Sequence, residues 1–302
     1  MAATPDLGLL RLAHVALISA DPAALAAHYE DTVGLVDLGA GPDGVRRLAT
    51  NGFHHCLEIH PGDGPGLDHI AFEVRDAAAA GAALDAGGVV ATPAVDAVGY
   101  TAAVAFDDPE GNTIRLVSGA LPGDAVAPGD RTFRPSKVGH IGVRAEDPAA
   151  QARFFTDVIG FRLSDWIGEQ VVFLRCNPDH HVLVFVAEPR GAGESAVHHV
   201  AYEVGSFEDF ARQADLLAAH DVRVDWGPGR HAPSRNYFMY FDDADGNRIE
   251  WVNSIKQIPD DGTYVPEVYD PAVPTTWNVW GVMPPPHFLK RIGPAEPAAA
   301  GA

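Results

Sequence analysis

The sequence predicts an α+β protein built from four modules, each a strand, a helix and further strands, that pair into two halves. Three features of the 302-residue chain predict this architecture: four short alternating runs that each carry a histidine, two Asp-Pro-Ala-Ala segments, and two similar Asp-Asp/Gly-Asn segments. Similarity that recurs within one chain indicates duplicated structural units. With 47 % apolar residues, the chain can bury a core in each of two domains of ordinary size.

Each alternating run predicts the first strand of a module, because successive strand side chains point to opposite faces of a sheet. The runs contain, in chain order, His14, His69, His140 and His199. The first pair of modules therefore recurs as the second pair.

A helix is predicted after each of these strands. Asp21 and Asp147 are N-caps, each followed by a proline suited to the first helical turn, and Gly34 and Gly160 end the apolar pattern. An alanine-rich stretch after the second run and a segment that begins at Phe207 predict the two other helices.

Each half of the chain closes with a predicted hairpin. Residues 106–115 and 241–250 place turn-forming Asp, Gly and Asn between two apolar runs. A stretch rich in glycine and proline separates the halves, which predicts a first domain of residues 1–122 and a second of residues 123–302. We expect the proline-rich tail from Ile258 onward to cover the second domain, because its aromatic side chains are unfavourable in water.

Charge and cysteine content narrow the functional classes. Forty-one acidic and 21 basic residues give a formal charge of -20, which repels phosphate backbones and excludes nucleic acid as a partner. The two cysteines, Cys56 and Cys176, are too few for a disulfide framework. No apolar run approaches the roughly 18 residues of a membrane-spanning helix, and no basic leader is present. We expect no membrane association and a cytoplasmic location.

Three side chains of the second half form a candidate metal site. Strand alternation allows His140, His199 and Glu250 to face one cup. Two imidazoles and one carboxylate are the facial triad of non-haem Fe(II) chemistry. A glutamate between Ile249 and Trp251 would be unfavourable in a core strand without a charged partner or a metal.

The first half has the two histidines but a different third residue. Its equivalent positions are His14, His69 and Arg115. Because a cation replaces the carboxylate, we expect this half to hold no metal and interpret its histidines as remnants of the duplication.

This pattern resembles the type I extradiol (meta-cleaving) catechol dioxygenases of the vicinal oxygen chelate superfamily. The resemblance covers about residues 8–288. It implies that His140, His199 and Glu250 hold Fe(II), with Mn(II) as an alternative that the same ligands accept. It also implies that the four modules are βαβββ units that pair into two barrel-like domains, and that identical chains assemble.

Two further segments carry the resemblance. The Asp-His-His segment ending at His181 resembles the one in which the family places a histidine near bound dioxygen. Gly-Arg-His231, followed by Tyr240, resembles the family's motif that contacts the catechol hydroxyls. The resemblance therefore implies an oxidoreductase that inserts both atoms of O2 into a catechol-type substrate next to one hydroxyl. Ala244 departs from the family's usual proline, but it lies in a turn.

The substrate and the reaction class leave alternatives open. Phe173, Phe185 and Trp166 are candidates for an apolar slot around the substrate ring, which favours neutral catechols. The same module also builds metal-dependent isomerases, lyases and small-molecule binding proteins, so a non-oxygenase function stays open. A glyoxalase-type isomerase would need a second carboxylate ligand, and the sequence offers no obvious one.

Overall fold

The computed structural model describes residues 6–50, 54–94, 97–121, 134–191, 193–259, 262–286 and 288. Within them the order of one strand, one helix and three strands occurs four times. The four βαβββ modules predicted from the sequence are confirmed, and the fold is α+β.

The first domain consists of two modules that form one sheet. The first module comprises β1 (Leu9–Ser19), α1 (Pro22–His28), β2 (Val36–Ala40), β3 (Arg46–Ala49) and β4 (Leu57–Pro61). The second comprises β5 (Gly66–Val74), α2 (Ala77–Ala86), β6 (Thr92–Pro93), β7 (Ala102–Asp107) and β8 (Thr113–Ser118). The strand order is β2-β3-β4-β1-β5-β8-β7-β6, so the first strands of the two modules, β1 and β5, pair at the centre.

The second domain has the same plan with a longer C-terminal tail. Its first module comprises β9 (Lys137–Ala145), α3 (Pro148–Phe154), β10 (Arg162–Ile167), β11 (Val171–Arg175) and β12 (Leu183–Ala187). Its second comprises β13 (Val197–Glu203), α4 (Glu208–Ala219), β14 (Trp226–Arg230), β15 (Tyr237–Asp242) and β16 (Arg248–Asn253). The tail adds β17 (Val268–Tyr269) and α5 (Pro274–Trp277), and the strand order is β14-β15-β16-β13-β9-β12-β11-β10-β17.

The N-cap aspartates and the terminal glycines predicted from the sequence are found at the two ends of the helical segments that begin with α1 and α3. The Asp21 carboxylate accepts a hydrogen bond from the backbone N–H three residues later at 3.0 Å, and Asp147 does the same at 2.9 Å. Both helices continue as a π-helical turn that ends at Gly34 and Gly160. Their φ angles of 78° and 91° lie in the left-handed region that favours glycine.

The two domains share one apolar core. A single cluster of buried side chains extends through both sheets, and Phe72 of β5 packs edge-to-face on Phe161 at 5.0 Å between ring centroids. The predicted domain boundary between residues 122 and 123 lies outside the described residues.

Each of the two predicted hairpin turns makes a polar contact with the other domain. In the first domain, Asp108 accepts a hydrogen bond from the side-chain amide of Gln151 in α3 at 3.2 Å. In the second domain, Asp243 accepts one from the hydroxyl of Tyr29, which follows α1, at 3.1 Å. The two aspartates occupy equivalent places in the duplicated hairpins, and each contacts the first module of the other domain.

The C-terminal tail covers the second domain as expected. Phe288 is buried against Trp226 and Tyr240, with ring centroids 5.1 Å from each. Trp277 packs at the same place, whereas Trp280 remains 48 % exposed. None of the helices in the described part of the chain is long and apolar enough to cross a membrane.

Candidate active site

His140, His199 and Glu250 converge at the centre of the second sheet. His140 lies on β9, His199 on β13 and Glu250 on β16, three strands that are adjacent in the sheet. The Nε2 atoms of the two histidines are 3.0 Å apart, and Glu250 Oε2 lies 2.9 Å from His140 Nε2 and 3.2 Å from His199 Nε2. All three side chains are buried. The structure thus brings together the three residues that the sequence predicted as a triad.

The donor atoms of this triad fit a divalent transition metal. Two imidazole nitrogens and a carboxylate oxygen that face a common point are the donor set of mononuclear Fe(II) and Mn(II) sites. Glu250 Oε1 is buried and makes no hydrogen bond, and the ring nitrogen on that side, His231 Nε2, is 3.5 Å away. A buried carboxylate oxygen of this kind is unfavourable unless a cation stabilises it.

Burial and local charge set the protonation of the site. Burial opposes the charge of Glu250, but the electrostatic effect of His140 and hydrogen bonds from the surrounding histidines outweigh it, and the pKa of the carboxyl lies well below its usual value. Burial lowers the pKa of His199 to about 4 and that of His181 well below its usual value. Both imidazoles are therefore neutral at pH 7 and keep a lone pair. Burial, and then the charge of Glu250, raise the pKa of Tyr240 well above its usual value, so the hydroxyl keeps its proton.

His181 is held beside the triad by a chain of buried hydrogen bonds. Its ring centroid lies 4.2 Å from that of His140, and its Nδ1 lies 3.0 Å from Nδ1 of His180. His180 Nε2 in turn lies 2.8 Å from an oxygen of Asp165. Because a carboxylate accepts hydrogen bonds, His180 donates from Nε2 and accepts at Nδ1, and His181 donates from Nδ1. This leaves Nε2 of His181 as a proton acceptor.

His231 and Tyr240 form a second pair on the opposite side. The His231 Nδ1 lies 2.7 Å from the carbonyl oxygen of Trp277, which accepts a hydrogen bond and so places the ring proton on Nδ1. The remaining nitrogen, Nε2, accepts from the Tyr240 hydroxyl at 3.1 Å. The tail residue Trp277 thus fixes the tautomer of His231, an interaction that local sequence patterns do not predict.

These six side chains line one cavity of about 650 Å³. Its walls are otherwise largely apolar, formed by Ile167, Val171, Phe173, Val184, Val186, Trp226, Trp277, Met283 and Phe288, among others. A cavity with apolar walls and a few converging polar groups is typical of a small-molecule site.

Of the three predicted ring-slot residues, Phe173 lines this cavity, and Phe185 and Trp166 do not. The prediction for the last two is corrected by the strand register. Val172 of β11 is the register partner of both Trp166 and Phe185, so these three side chains share the face of the sheet that packs on the helices. Phe173 alternates to the other face, where its partner is Val184.

Arg248 also lines the cavity, although the sequence had not marked it as a functional residue. It is two residues before Glu250 on β16, so the two side chains share a face, and this alternation was the available signal. Its guanidinium stacks on the Phe288 ring at 3.8 Å and donates a hydrogen bond to the Phe288 carbonyl at 2.7 Å. Arg230 and Arg235, which flank His231 in the sequence, are absent from the described cavity lining.

A glycine on β9 makes room for one of the triad histidines. Gly142 is the register partner of His199, and a Cβ atom built on it would lie 3.1 Å from His199 Nε2 and closer than 3.0 Å to Cε1 and Nδ1. The histidine can lie over the backbone here because position 142 has no side chain.

Comparison with known proteins relates both domains to one family. The family described as "Glyoxalase/Bleomycin resistance protein/Dioxygenase superfamily" matches residues 11–116 and 137–251. The chain is 26 % identical over 266 residues to the manganese-dependent 2,3-dihydroxybiphenyl 1,2-dioxygenase of Geobacillus genomosp. 3, covering 80 % of this chain and 84 % of the relative. It is 27 % identical over 301 residues to the iron-dependent extradiol dioxygenase of Rhodococcus jostii (strain RHA1), covering 89 % and 95 %.

The fold is also similar to that of a solved structure. The Mn(II)-bound glyoxalase from Novosphingobium aromaticivorans matches with a TM-score of 0.83 and 28 % identity, over 96 % of this chain and 97 % of that one.

Proposed function

The chain belongs to the Glyoxalase/Bleomycin resistance protein/Dioxygenase superfamily, and from this membership we propose that it is an oxidoreductase, an extradiol ring-cleaving dioxygenase. It inserts both atoms of O2 into a catechol-type substrate next to one hydroxyl. The observation that carries the proposal is the buried triad of His140, His199 and Glu250 in one cavity with His181, His231 and Tyr240. The dioxygenases from Geobacillus and Rhodococcus, similar along most of their length, support it.

The triad would hold the metal through Nε2 of His140, Nε2 of His199 and an oxygen of Glu250. Fe(II) or Mn(II) bound there would lower the pKa of catechol hydroxyls and mediate electron transfer between the ring and O2. The donor set accepts both metals. The Geobacillus relative is named as manganese-dependent and the Rhodococcus relative as iron-dependent. We propose Fe(II) as the resident ion, with Mn(II) as the alternative.

The side chains around the triad position the substrate and move its protons. Tyr240 and His231 are hydrogen-bonded to each other, so a catechol oxygen that enters between them can exchange a proton with either group. His181 presents Nε2 as a base because its other nitrogen donates to His180. We propose that it takes up one substrate proton and later returns it to the oxygenated ring.

The apolar walls select the ring and exclude water. Phe173 and Val184 form one wall and Trp277 and Phe288 another, which favours a neutral catechol with an apolar substituent. Excluding water strengthens the hydrogen bonds of His181 and Tyr240 to the reacting oxygens.

The test is oxygen consumption by the chain loaded anaerobically with Fe(II) or with Mn(II). Catechol, 3-methylcatechol, 2,3-dihydroxybiphenyl and protocatechuate are supplied in turn, and oxygen uptake and visible absorbance are followed. We expect one O2 per substrate and a yellow ring-opened product, with the neutral catechols faster than protocatechuate. Absence of oxygen uptake with every substrate, at one metal ion in the triad, would overturn the proposal.

Two variants separate the roles of the residues. Glu250→Ala should lose the metal of the triad and all turnover, because two histidines alone hold the ion weakly. His181→Ala should keep that metal and bind catechol but turn over roughly 100-fold more slowly, as expected for loss of an acid–base group. Normal turnover by His181→Ala would refute its assigned role.

The Novosphingobium glyoxalase favours a second candidate, a metal-dependent isomerase or lyase without oxygen chemistry. A glyoxalase-type site needs a second carboxylate, and no other Asp or Glu of the described chain groups with this triad. On β12, the neighbour of β9 on the side away from β13, the cavity is lined by Val184, which is not a carboxylate. The oxygen-uptake experiment distinguishes the two functions.

Three other parts of the sequence-based interpretation are retained as proposals. The metal-dependent reaction belongs to the second domain, residues 123–302; the chain forms a homo-oligomer; and it works in the cytoplasm. Light scattering of the purified chain tests the second.

A further inference from the structure

The first domain contains a histidine cluster that the proposed dioxygenase reaction does not use. His14 on β1 and His69 on β5 occupy the places of the two triad histidines of the second domain, and their Nε2 atoms are 2.9 Å apart. Arg115 of β8 stands where the second domain has its glutamate. The expectation that this domain holds no metal rested on that arginine.

A carboxylate from a different strand completes the set. Glu58 lies on β4, which is adjacent to β1 in the sheet, and its register partner is Ala16. One ring nitrogen from each of His14 and His69 and one oxygen of Glu58 all lie within 4.8 Å of one another. The three side chains are at most 2 % exposed. The equivalent of Glu58 in the second domain is Val184, so the domains take their carboxylates from opposite sides of the histidine pair.

Hydrogen bonds orient two of these three side chains as they do in metal sites. His69 Nδ1 lies 2.6 Å from the Asp68 carboxylate and donates to it, which leaves the lone pair of His69 on Nε2, facing His14. Arg47 donates from Nε to Glu58 Oε1 at 2.8 Å, which leaves Oε2 on the side of His69. Carboxylate partners of histidine ligands, and hydrogen bonds to carboxylate ligands, regularly orient the donors of metal ions.

The cluster also contains buried ring nitrogens without hydrogen bonds. His14 Nδ1 is buried and makes none, and His55 Nε2, also buried, lies 3.3 Å from Glu58 Oε1 without hydrogen-bond geometry. The ring of His55 lies 4.5 Å from that of His14, and His60 Nε2 lies 3.0 Å from Glu58 Oε2, so further nitrogen donors surround the three.

We propose that the first domain binds a second divalent transition-metal ion through His14, His69 and Glu58. Two of the three donors are imidazole nitrogens, whereas Mg²⁺ and Ca²⁺ prefer oxygen ligands. A closed, nitrogen-rich set is instead suited to Zn²⁺, which binds structural sites through imidazole and carboxylate. The ion would join β1, β4 and β5, and it would serve the stability of the domain.

Zinc stoichiometry of the full chain tests the proposal. The chain is stripped with a chelator, loaded with Zn²⁺ alone, passed through gel filtration and analysed for zinc by mass spectrometry. We expect two ions per chain in the wild type and one in Glu250→Ala, which removes the carboxylate of the second-domain triad only. Glu58→Gln should also hold one, and the double variant none.

Site-specific loss separates this proposal from the dioxygenase function. Glu58→Gln loaded with Fe(II) should retain oxygen uptake, because the ion it loses is in the other domain. In a Glu250→Ala background, the same substitution should abolish the rise in melting temperature that Zn²⁺ causes. One zinc ion in the wild type and none in Glu250→Ala would overturn the second site whether or not the chain cleaves catechols. That result does not require the Glu58 variant to fold.

Discussion

Adding a single methyl group at Gly142 should displace a metal ligand without touching the ligand itself. In Gly142→Ala the new Cβ would lie closer than 3.0 Å to two atoms of the His199 ring, whereas ordinary contacts between such atoms are about 3.5–4.0 Å. The ring must therefore retreat by about 1 Å. His199 Nε2 now lies 3.0 Å from its His140 counterpart, and ligand distances in metal sites vary by only about 0.2 Å. We therefore expect His199 to be lost as a ligand in this variant, so that only His140 and Glu250 remain to hold the metal.

The size of the effect follows from this displacement. Misplacement of a reacting group by about 1 Å lowers turnover by roughly 100-fold, equivalent to about 2.7 kcal/mol in the activation free energy. Oxygen uptake with 3-methylcatechol should fall by this factor or more, and the Fe(II) content after gel filtration should fall by one ion per chain.

Gly139 of the same strand provides the matched control. A Cβ atom at Gly139 would meet Val252 at 3.5 Å, an ordinary contact, so Gly139→Ala should keep the metal and the turnover. Wild-type metal content and turnover in Gly142→Ala would refute the reasoning. That outcome would mean that His199 can take the placement His69 has in the first domain, where Ala16 is the register partner.

Two further predictions concern buried aspartates. In Asp165→Asn the amide oxygen should stay where Oδ1 accepts from the Tyr264 hydroxyl and the Glu267 backbone N–H, so the N–H₂ group faces His180 Nε2. Both rings of the His180–His181 pair must then take the other tautomer, which removes the base. Turnover should fall about 100-fold or more at unchanged metal content, measured by oxygen uptake and metal analysis. Burial raises the pKa of Asp243 to about 7. Between about pH 4 and pH 7 the carboxyl is therefore protonated in the folded state and ionised in the unfolded state. The stability of the folded state consequently decreases as the pH rises toward 7. In urea unfolding, the free energy of unfolding of Asp243→Asn relative to that of the wild type should therefore increase by about 3 kcal/mol as the pH is raised from 5 to 8.

The outcomes that contradict these two predictions are distinct. Unchanged turnover in Asp165→Asn would show that the orientation of His181 does not depend on its hydrogen-bond chain. A difference between Asp243→Asn and the wild type that is constant with pH would show that Asp243 is ionised in the folded state throughout. Tyr29→Phe, which removes a hydrogen bond to the same carboxylate but keeps the ring, is the control for a lost hydrogen bond across the interface.

The sequence predicted what depends on periodicity along the chain. Histidines recurring in four alternating runs were enough to predict the modules, and the alternation around Glu250 was enough to place it with His140 and His199. What it could not predict depends on register between strands. Phe185 and Phe173 are equally apolar, and only the pairing of β11 with β12 determines which of them faces the cavity.

The same limit explains why Glu58 was missed. A carboxylate was sought at the position equivalent to Glu250, on the last strand of the module pair, and Arg115 was found there. Glu58 reaches the histidines from β4, and its proximity to His14 follows from the parallel pairing of β1 and β4, which local sequence does not reveal. Trp277 is similar, since its carbonyl contacts His231 from a tail without periodicity.

The apolar cluster shared by the two domains determines how the molecule responds to heat. A fragment that began after the linker would expose Phe161 and Tyr202, which now pack against the first domain, and each exposed aromatic ring would be unfavourable by roughly 2 kcal/mol. We therefore expect the halves to melt together as one cooperative unit rather than as two. In a calorimeter, an ion bound in either half would move the same single peak to higher temperature, so that occupancy of one half protects the other from unfolding.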